Sequence, residues 1–219
     1  CPATEFAEFV KQHPGHTVIS YVNTTAAVKA VTDVVVTSTN ARQIVESFPE
    51  GTPMIFGPDR NLGNYINSIT GRNMLLWDGA CHVHEQFSLE KILSLKKQYP
   101  NAEVITHPEC KQVSDFVGST AALLKHTIKS DAKQFIVATE SGVIHEMRKQ
   151  SPDKEFIPAP PNDSTCACNE CNFMRLNTME KLYNCLKFEM PEIFVDEEVQ
   201  KKAIKPIKKM LEISEKLGL

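Results

Sequence analysis

Residues 17–31 read TVISYVNTTAAVKAV, and this stretch decides the fold. Its first half is a short β-branched run that ends in polar side chains, and its second half has the spacing of a helix. The next stretch, VVVTSTNARQIVES at 34–47, has the same order of strand, hydroxyl-rich turn and helix. Apolar runs such as VVV at 34–36 are typical of parallel strands buried on both faces. The alternation therefore predicts an α/β fold.

The same alternation continues along most of the chain. Predicted strands cover 17–22, 33–37, 53–56, 73–77, 103–106, 134–139 and 155–158. Predicted helices cover 25–31, 41–47, 62–68, 88–98, 113–116, 120–129, 142–150 and 178–188, and Asp196 can cap a last helix that Pro206 kinks or restarts.

The chain also contains an internal repeat. EVITHPECKQVSDF at 103–116, followed by VGSTAALLKHTIKS, matches the first two stretches, and strand ends with Tyr21 and Asn23 correspond to strand ends with His107 and Glu109. The offset is 107 − 21 = 86 there and 120 − 38 = 82 between Ser38 and Thr120. The repeat predicts two similar three-layer αβα domains. The expected division is 1–100, 101–188 with a Cys-rich loop at 159–177, and a C-terminal helical segment at 189–219.

Composition excludes several classes of protein. The chain has 219 residues, of which 42% are hydrophobic and 23% charged, so disorder is excluded. A formal net charge of -3 gives no basic surplus for nucleic acid or an anionic membrane surface. No apolar run approaches the roughly 18 residues of a membrane span. Seven irregularly spaced cysteines do not form a secreted disulfide framework, and we expect a cytoplasmic protein.

Hydroxyl side chains follow corresponding strands in both copies. Ser38 in the first copy, and Ser119 and Thr120 in the second, lie where a helix N-cap hydroxyl is expected. Open α/β sheets bind ligands beyond the carboxyl ends of their strands, where helix N-termini attract anions. Capping alone explains any one of these hydroxyls, whereas their repetition favours a shared anionic ligand.

The strongest local signal is CACNEC, with Cys166, Cys168 and Cys171 in one loop. Zinc sites usually combine two such clusters, and the best distant partner is the single Cys81 of GACHVH. A site that has only thiolate ligands, and few of them, favours an iron–sulfur cluster over zinc. His82 and His84 flank one residue, so at most one faces a site if the chain there is extended.

His107 and Glu109 lie on either side of Pro108 at a predicted strand end. A histidine and a carboxylate at that place can do acid–base work if their pKa values are drawn toward neutrality. Taken singly, each is more often an ordinary surface or hydrogen-bonded residue.

Ordered motifs are spread over nearly the whole chain: YVNTTAAVKA at 21–30, TSTNA at 37–41, PDRNLGNYI at 58–66, WDGACHVHEQF at 77–87, THPEC at 106–110, VGST at 117–120 and CACNECNFMRLNT at 166–178. Together these motifs resemble the quinolinate synthase family. The resemblance implies condensation of iminoaspartate with dihydroxyacetone phosphate to quinolinate, phosphate and water. It also implies three similar αβα domains around a pseudo-threefold axis, with a central [4Fe-4S] cluster whose open iron is a Lewis acid.

The resemblance also implies residue roles. Cys81 and Cys171 correspond to cluster ligands, and Cys166 and Cys168 to accessory cysteines. Glu109 corresponds to a general base, with Tyr21 and His107 also catalytic. The implied substrate contacts are Tyr21, Val22, Asn23, Ser38, His84, His107, Pro108, Glu109, Ser119 and Thr120.

The family's first domain, with the third cluster cysteine, is expected upstream of Cys1. A chain without it is expected to be inactive alone, and its last helix is expected to lose its packing surface. A functional link to L-aspartate oxidase or aspartate dehydrogenase is implied. The alternative is a non-catalytic anion-binding module that uses the Cys-rich loop for zinc or redox sensing.

Overall fold

The computed structural model describes residues 1–110, 114–162 and 170–219. The strands β1–β8, in chain order, are Thr17–Tyr21, Val34–Val36, Met54–Phe56, Leu75–Leu76, Glu103–Thr106, Phe116–Val117, Gln134–Ala138 and Glu155–Pro158. The helices α1–α10 are Ala3–Lys11, Ala26–Lys29, Ala41–Glu46, Arg60–Thr70, His82–Glu85, Leu89–Gln98, Thr120–Lys129, Val143–Gln150, Met179–Phe188 and Glu197–Lys216. No helix among the described residues is both long enough and apolar enough to cross a membrane.

The strands form two parallel sheets with the same topology. One sheet has the order β2-β1-β3-β4 and the other β6-β5-β7-β8. Tyr21 pairs with Val36 in the first, and Thr106 pairs with Val117 in the second. Adding the sequence offset of 86 to Tyr21 gives 107, and adding the offset of 82 to Val36 gives 118. These are the positions directly after the paired residues Thr106 and Val117 of the second sheet. The predicted α/β fold and its repeat are confirmed.

The two copies also share an aspartate contact. The Asp33 carboxylate accepts a hydrogen bond from the Val18 N–H at 2.8 Å, and Asp115 accepts one from Val104 at the same distance. In both copies the aspartate N–H donates back to the carbonyl of that valine. Each aspartate thus joins the start of an outer strand to the strand beside it.

Burial of both sheet faces explains the apolar strands. Val34, Val35 and Val36 are all fully buried, because helices cover both sides of the sheet. One face packs into a cluster around Phe56 and Ile44, and the other into a cluster around Phe6. Alternate residues of β5 and β7 likewise divide between two clusters.

Two sequence-based expectations are wrong, and one alternative for Pro206 is excluded. A helix was predicted at 113–116, but Phe116 begins β6, which pairs with β5 as β2 pairs with β1. α10 runs through Pro206 without restarting. This last helix keeps a packing surface, since Met210 and Ile213 pack against the cluster of the first sheet.

Candidate functional site

The site lies at the carboxyl edge of the strands, where residues from both sheets meet. Tyr21 ends β1, and His107 and Glu109 follow β5. The Tyr21 phenol lies near Ser38, which follows β2, and near Glu109, since both groups act on its pKa. A parallel sheet brings the ends of neighbouring strands to one edge, and here two such edges meet.

The segment between the sheets completes the site. Cys81 is the N-cap of the short helix α5, which carries His84 one turn later. The His84 Nδ1 lies 3.0 Å from Glu109 Oε2, and its Nε2 lies 3.3 Å from Thr139 Oγ1. The helical turn therefore aims His84 at the edge of the second sheet.

Glu109 is the centre of this network. Its side chain is only 5% exposed, and its Oε1 lies 3.7 Å from His107 Nδ1. The rings of His84 and His107 stack with their centroids 4.7 Å apart. One carboxylate therefore faces both imidazoles and the Tyr21 phenol.

The two stacked histidines have opposite pKa shifts. Burial opposes the charged form of His84, but hydrogen bonds with Cys81 and Glu109 outweigh it and raise its pKa to about 9. Burial lowers the pKa of His107 to about 4, helped by the neighbouring His84 and opposed by Glu109. At neutral pH His84 is thus a cationic hydrogen-bond donor beside the neutral ring of His107.

The acidic groups respond to the same neighbours. Burial alone would raise the pKa of Glu109, but His84, His107 and Tyr21 lower it below its ordinary value. Burial, with Glu109 nearby, raises the pKa of Tyr21 to about 12. Glu109 is therefore ionised and able to accept a proton, whereas Tyr21 stays a phenol that can donate a hydrogen bond.

Cys81, His84 and Glu109 form a compact group of potential metal ligands. Their ligand atoms all lie within 4.8 Å of one another. A partly exposed thiol with an imidazole and a carboxylate is a donor set that suits a metal. The second predicted cluster ligand, Cys171, is half-buried and does not belong to this group. Cys166 and Cys168 lie outside the described residues.

The remaining predicted site residues differ in placement. The Val22 carbonyl accepts a hydrogen bond from the Lys29 ammonium, and Asn23 and Thr120 are exposed. Ser119 is the predicted N-cap, since its hydroxyl accepts from the Ala122 N–H of α7. Ser38 is not an N-cap, because α3 begins after Asn40.

Pro108 lies between His107 and Glu109 in the chain. Two further residues of the site, Thr139 and Asp59, were not predicted from the sequence. Thr139 follows β7 at the same edge as His107, so its place at the end of the predicted strand 134–139 was the available signal. Asp59, whose carboxylate accepts the Cys81 N–H, carried no such signal, because its contact spans 22 residues.

Sequence comparisons match nearly the whole chain to known proteins. A sequence model of the family described as quinolinate synthetase A protein matches residues 1–212. The quinolinate synthases of Thermosynechococcus vestitus and Chloroherpeton thalassium are each 53% identical to the chain over 218 residues. That of Synechocystis is 54% identical over the same length. Each alignment covers 98% of this chain and 68% of the relative.

Proposed function

The chain belongs to the quinolinate synthetase A protein family, and we propose that it condenses iminoaspartate with dihydroxyacetone phosphate, giving quinolinate, phosphate and water. Its function is that of a quinolinate synthase, an enzyme of NAD biosynthesis. The observation that carries this conclusion is the 53% identity with a quinolinate synthase over 98% of the chain. It is also supported by the groups that meet at the carboxyl edges of the two sheets, namely one carboxylate, two imidazoles and one phenol, of Glu109, His84, His107 and Tyr21.

We propose that Cys81 and Cys171 are ligands of a [4Fe-4S] cluster. The donor set fits, since Cys81 is a partly exposed thiol at the mouth of the polar network. When bound, the cluster would supply a Lewis acid for the substrate. One ring nitrogen of His84 and one carboxylate oxygen of Glu109 lie within 4.8 Å of the Cys81 sulfur, so the substrate would meet them at the same place.

Glu109 is the proposed general base. Its carboxylate is ionised at neutral pH, the form that can remove a proton during isomerisation and dehydration of the triose. The cationic His84 at 3.0 Å holds the carboxylate in place, and a proton taken by Oε2 would lie beside that ring. Burial of the pair keeps competing water away from the carboxylate.

Tyr21 and the residues at the strand ends are the proposed substrate contacts. The Tyr21 phenol, protonated across the physiological range, can donate to a substrate oxygen while Ser38 orients it. Val22, Asn23, Ser119 and Thr120 border the same edge, and the α7 N-terminus offers N–H groups to a phosphate. His107, neutral beside the cationic His84, can accept or donate through its ring nitrogens.

The test is anaerobic reconstitution of the chain together with the family's first domain, with iron and sulfide, followed by assay for quinolinate with Glu109→Gln. The variant should lose turnover and keep the absorption of the cluster. The control is Glu103→Gln, because Glu103 also pairs with a histidine, His126 at 2.6 Å, but at the start of β5. Equal loss of turnover in both variants, or loss of the cluster in Glu109→Gln, would make Glu109 structural.

The wider context is also a proposal. We propose the domains 1–100 and 101–188, each around one sheet, with a helical segment at 189–219. Action in the cytoplasm is supported by the free thiols of Cys81, Cys110 and Cys171. Iminoaspartate is a substrate of a kind that L-aspartate oxidase or aspartate dehydrogenase would supply. Neither nucleic acid nor a membrane is a proposed partner.

A zinc or redox module is the second candidate. One observation favours it: a thiol, an imidazole and a carboxylate within 4.8 Å of one another also suit zinc. Metal analysis of protein reconstituted with iron and zinc together distinguishes the enzyme from the module. Iron with acid-labile sulfide supports the enzyme, and zinc without sulfide supports the module.

A further inference from the structure

The first turn of α4 holds a buried carboxylate beside the candidate metal site. Asp59 is 4% exposed and is the N-cap of the helix. Its Oδ1 accepts hydrogen bonds from the N–H groups of Asn61 at 2.7 Å and Leu62 at 2.9 Å. These two bonds are what an N-cap provides.

The second oxygen of Asp59 makes a contact that capping does not need. Its Oδ2 accepts the N–H of Cys81 at 2.6 Å, across 22 residues of sequence. The N-cap of α10, Asp196, gives the comparison, since its Oδ1 likewise accepts from Glu198 and Val199. Asp59 therefore adds a long-range bond to a backbone group of the proposed metal ligand.

The next two residues of α4 hold the same segment. The Arg60 N–H donates to the Gly79 carbonyl at 2.8 Å, and its guanidinium pairs with Asp78 and with Glu85. The Asn61 amide donates to Glu85 Oε1 at 2.5 Å. The start of α4 thus binds residues 78–85 on both sides of Cys81.

We propose that Asp59 is a positioning residue that fixes Cys81 before metal binds, an inference that rests on the proposed role of Cys81 in the function above. Because Cys81 is the N-cap of α5, the bond to its N–H also fixes the start of the turn that carries His84. The Asp59 carboxylate accepts a hydrogen bond from the Cys81 N–H, so the thiol side chain extends from a backbone that is already fixed. A ligand held in advance loses less conformational freedom when it binds its metal.

The test is Asp59→Asn, with Asp196→Asn as the matched control. An asparagine can cap through its oxygen, but its NH₂ then faces the Cys81 N–H, and two donors cannot bond. Hydrogen exchange of the Cys81 amide in the metal-free protein should rise by about tenfold or more, as expected for loss of a bond to a charged group. Alkylation of Cys81 by iodoacetamide should also change in rate. Asp196→Asn should alter neither.

After anaerobic reconstitution, Asp59→Asn should release iron to a chelator faster than the wild-type protein, while Asp196→Asn should not. If Asp59→Asn does not fold, Asp59→Ser replaces it, because serine caps a helix but is too short to reach both partners. Unchanged Cys81 exchange in the folded variant would overturn the inference. If the wild-type protein takes up no cluster even with the family's first domain present, the proposed function fails, and amide exchange still decides the role of Asp59.

Discussion

Replacing Gly57 by alanine should disturb the segment that leads to Cys81. A Cβ at this position would lie 2.2 Å from the Trp77 Cβ and 3.1 Å from its Cγ. Carbon atoms prefer a separation of about 3.5–4.0 Å, so the overlap exceeds an ångström. The Trp77 Cβ is attached to the backbone, so a side-chain rotation cannot relieve the contact. Residues 77–79 must therefore move.

The expected loss follows from that overlap. Overpacking costs about 1–3 kcal/mol, and the smaller freedom of alanine in the unfolded chain offsets about 0.4–1 kcal/mol. In a protein of this size each kcal/mol changes Tm by about 2–4 °C. At the midpoints of these ranges the net loss is about 1.3 kcal/mol, so we expect Tm to fall by about 3–5 °C in thermal unfolding. Trp77 is the chain's one tryptophan, so its fluorescence should change as well.

The control is Gly71→Ala. Gly71 has φ of 69° at the end of α4, and a Cβ there meets open space. Its replacement should cost about 1–2 kcal/mol through backbone strain alone and leave the Trp77 emission unchanged. If Gly57→Ala retains both the Tm and the emission of the wild-type protein, the packing of Gly57 against Trp77 is not as described.

Three further predictions concern the site. In NMR titrations of the metal-free protein, His84 should titrate near pH 9, because Cys81 and Glu109 stabilise its charged form. His107 should titrate near pH 4, because burial disfavours its charged form. Midpoints near the ordinary 6.5 for both histidines would contradict the described network. Thr139→Val removes the hydroxyl beside His84 Nε2 and should lower stability by about 1 kcal/mol in urea titrations; an unchanged midpoint would show that the bond contributes nothing. Burial raises the pKa of the Cys110 thiol, so iodoacetamide should modify the exposed Cys185 much faster, as mass spectrometry of the folded protein can show; equal rates would place Cys110 at the surface.

The fold was predictable because its signals are local. VVV at 34–36 and the repeat at 103–149 give the parallel sheets and their duplication. β6 was mistaken for a helix because Phe116–Val117 is too short for a period to appear. α5 was missed for the same reason, since His82–Glu85 forms one turn only.

Only part of the site could be predicted in the same way. Tyr21, His107 and Glu109 stand at strand ends, so the topology alone brings each of them to the carboxyl edge of its own sheet. The contacts of Cys81 with Asp59 and of His84 with Thr139 join residues 22 and 55 apart. Such contacts depend on how the two sheets and the segment between them pack, and no local pattern records that.

The duplication also explains why the site lies between the copies. Corresponding positions have different chemistry: the phenol of Tyr21 in one copy matches the imidazole of His107 in the other, and Asn23 matches Glu109. Tyr21 and Glu109 influence each other across the copies, the first copy with a phenol and the second with a carboxylate. The segment between the sheets has no counterpart in that match, and it carries Cys81 and His84. Two equivalent edges would give two equivalent weak sites. The divergence of their strand ends, with a thiol from the connecting segment, brings a carboxylate, a phenol and a potential metal ligand together among the described residues.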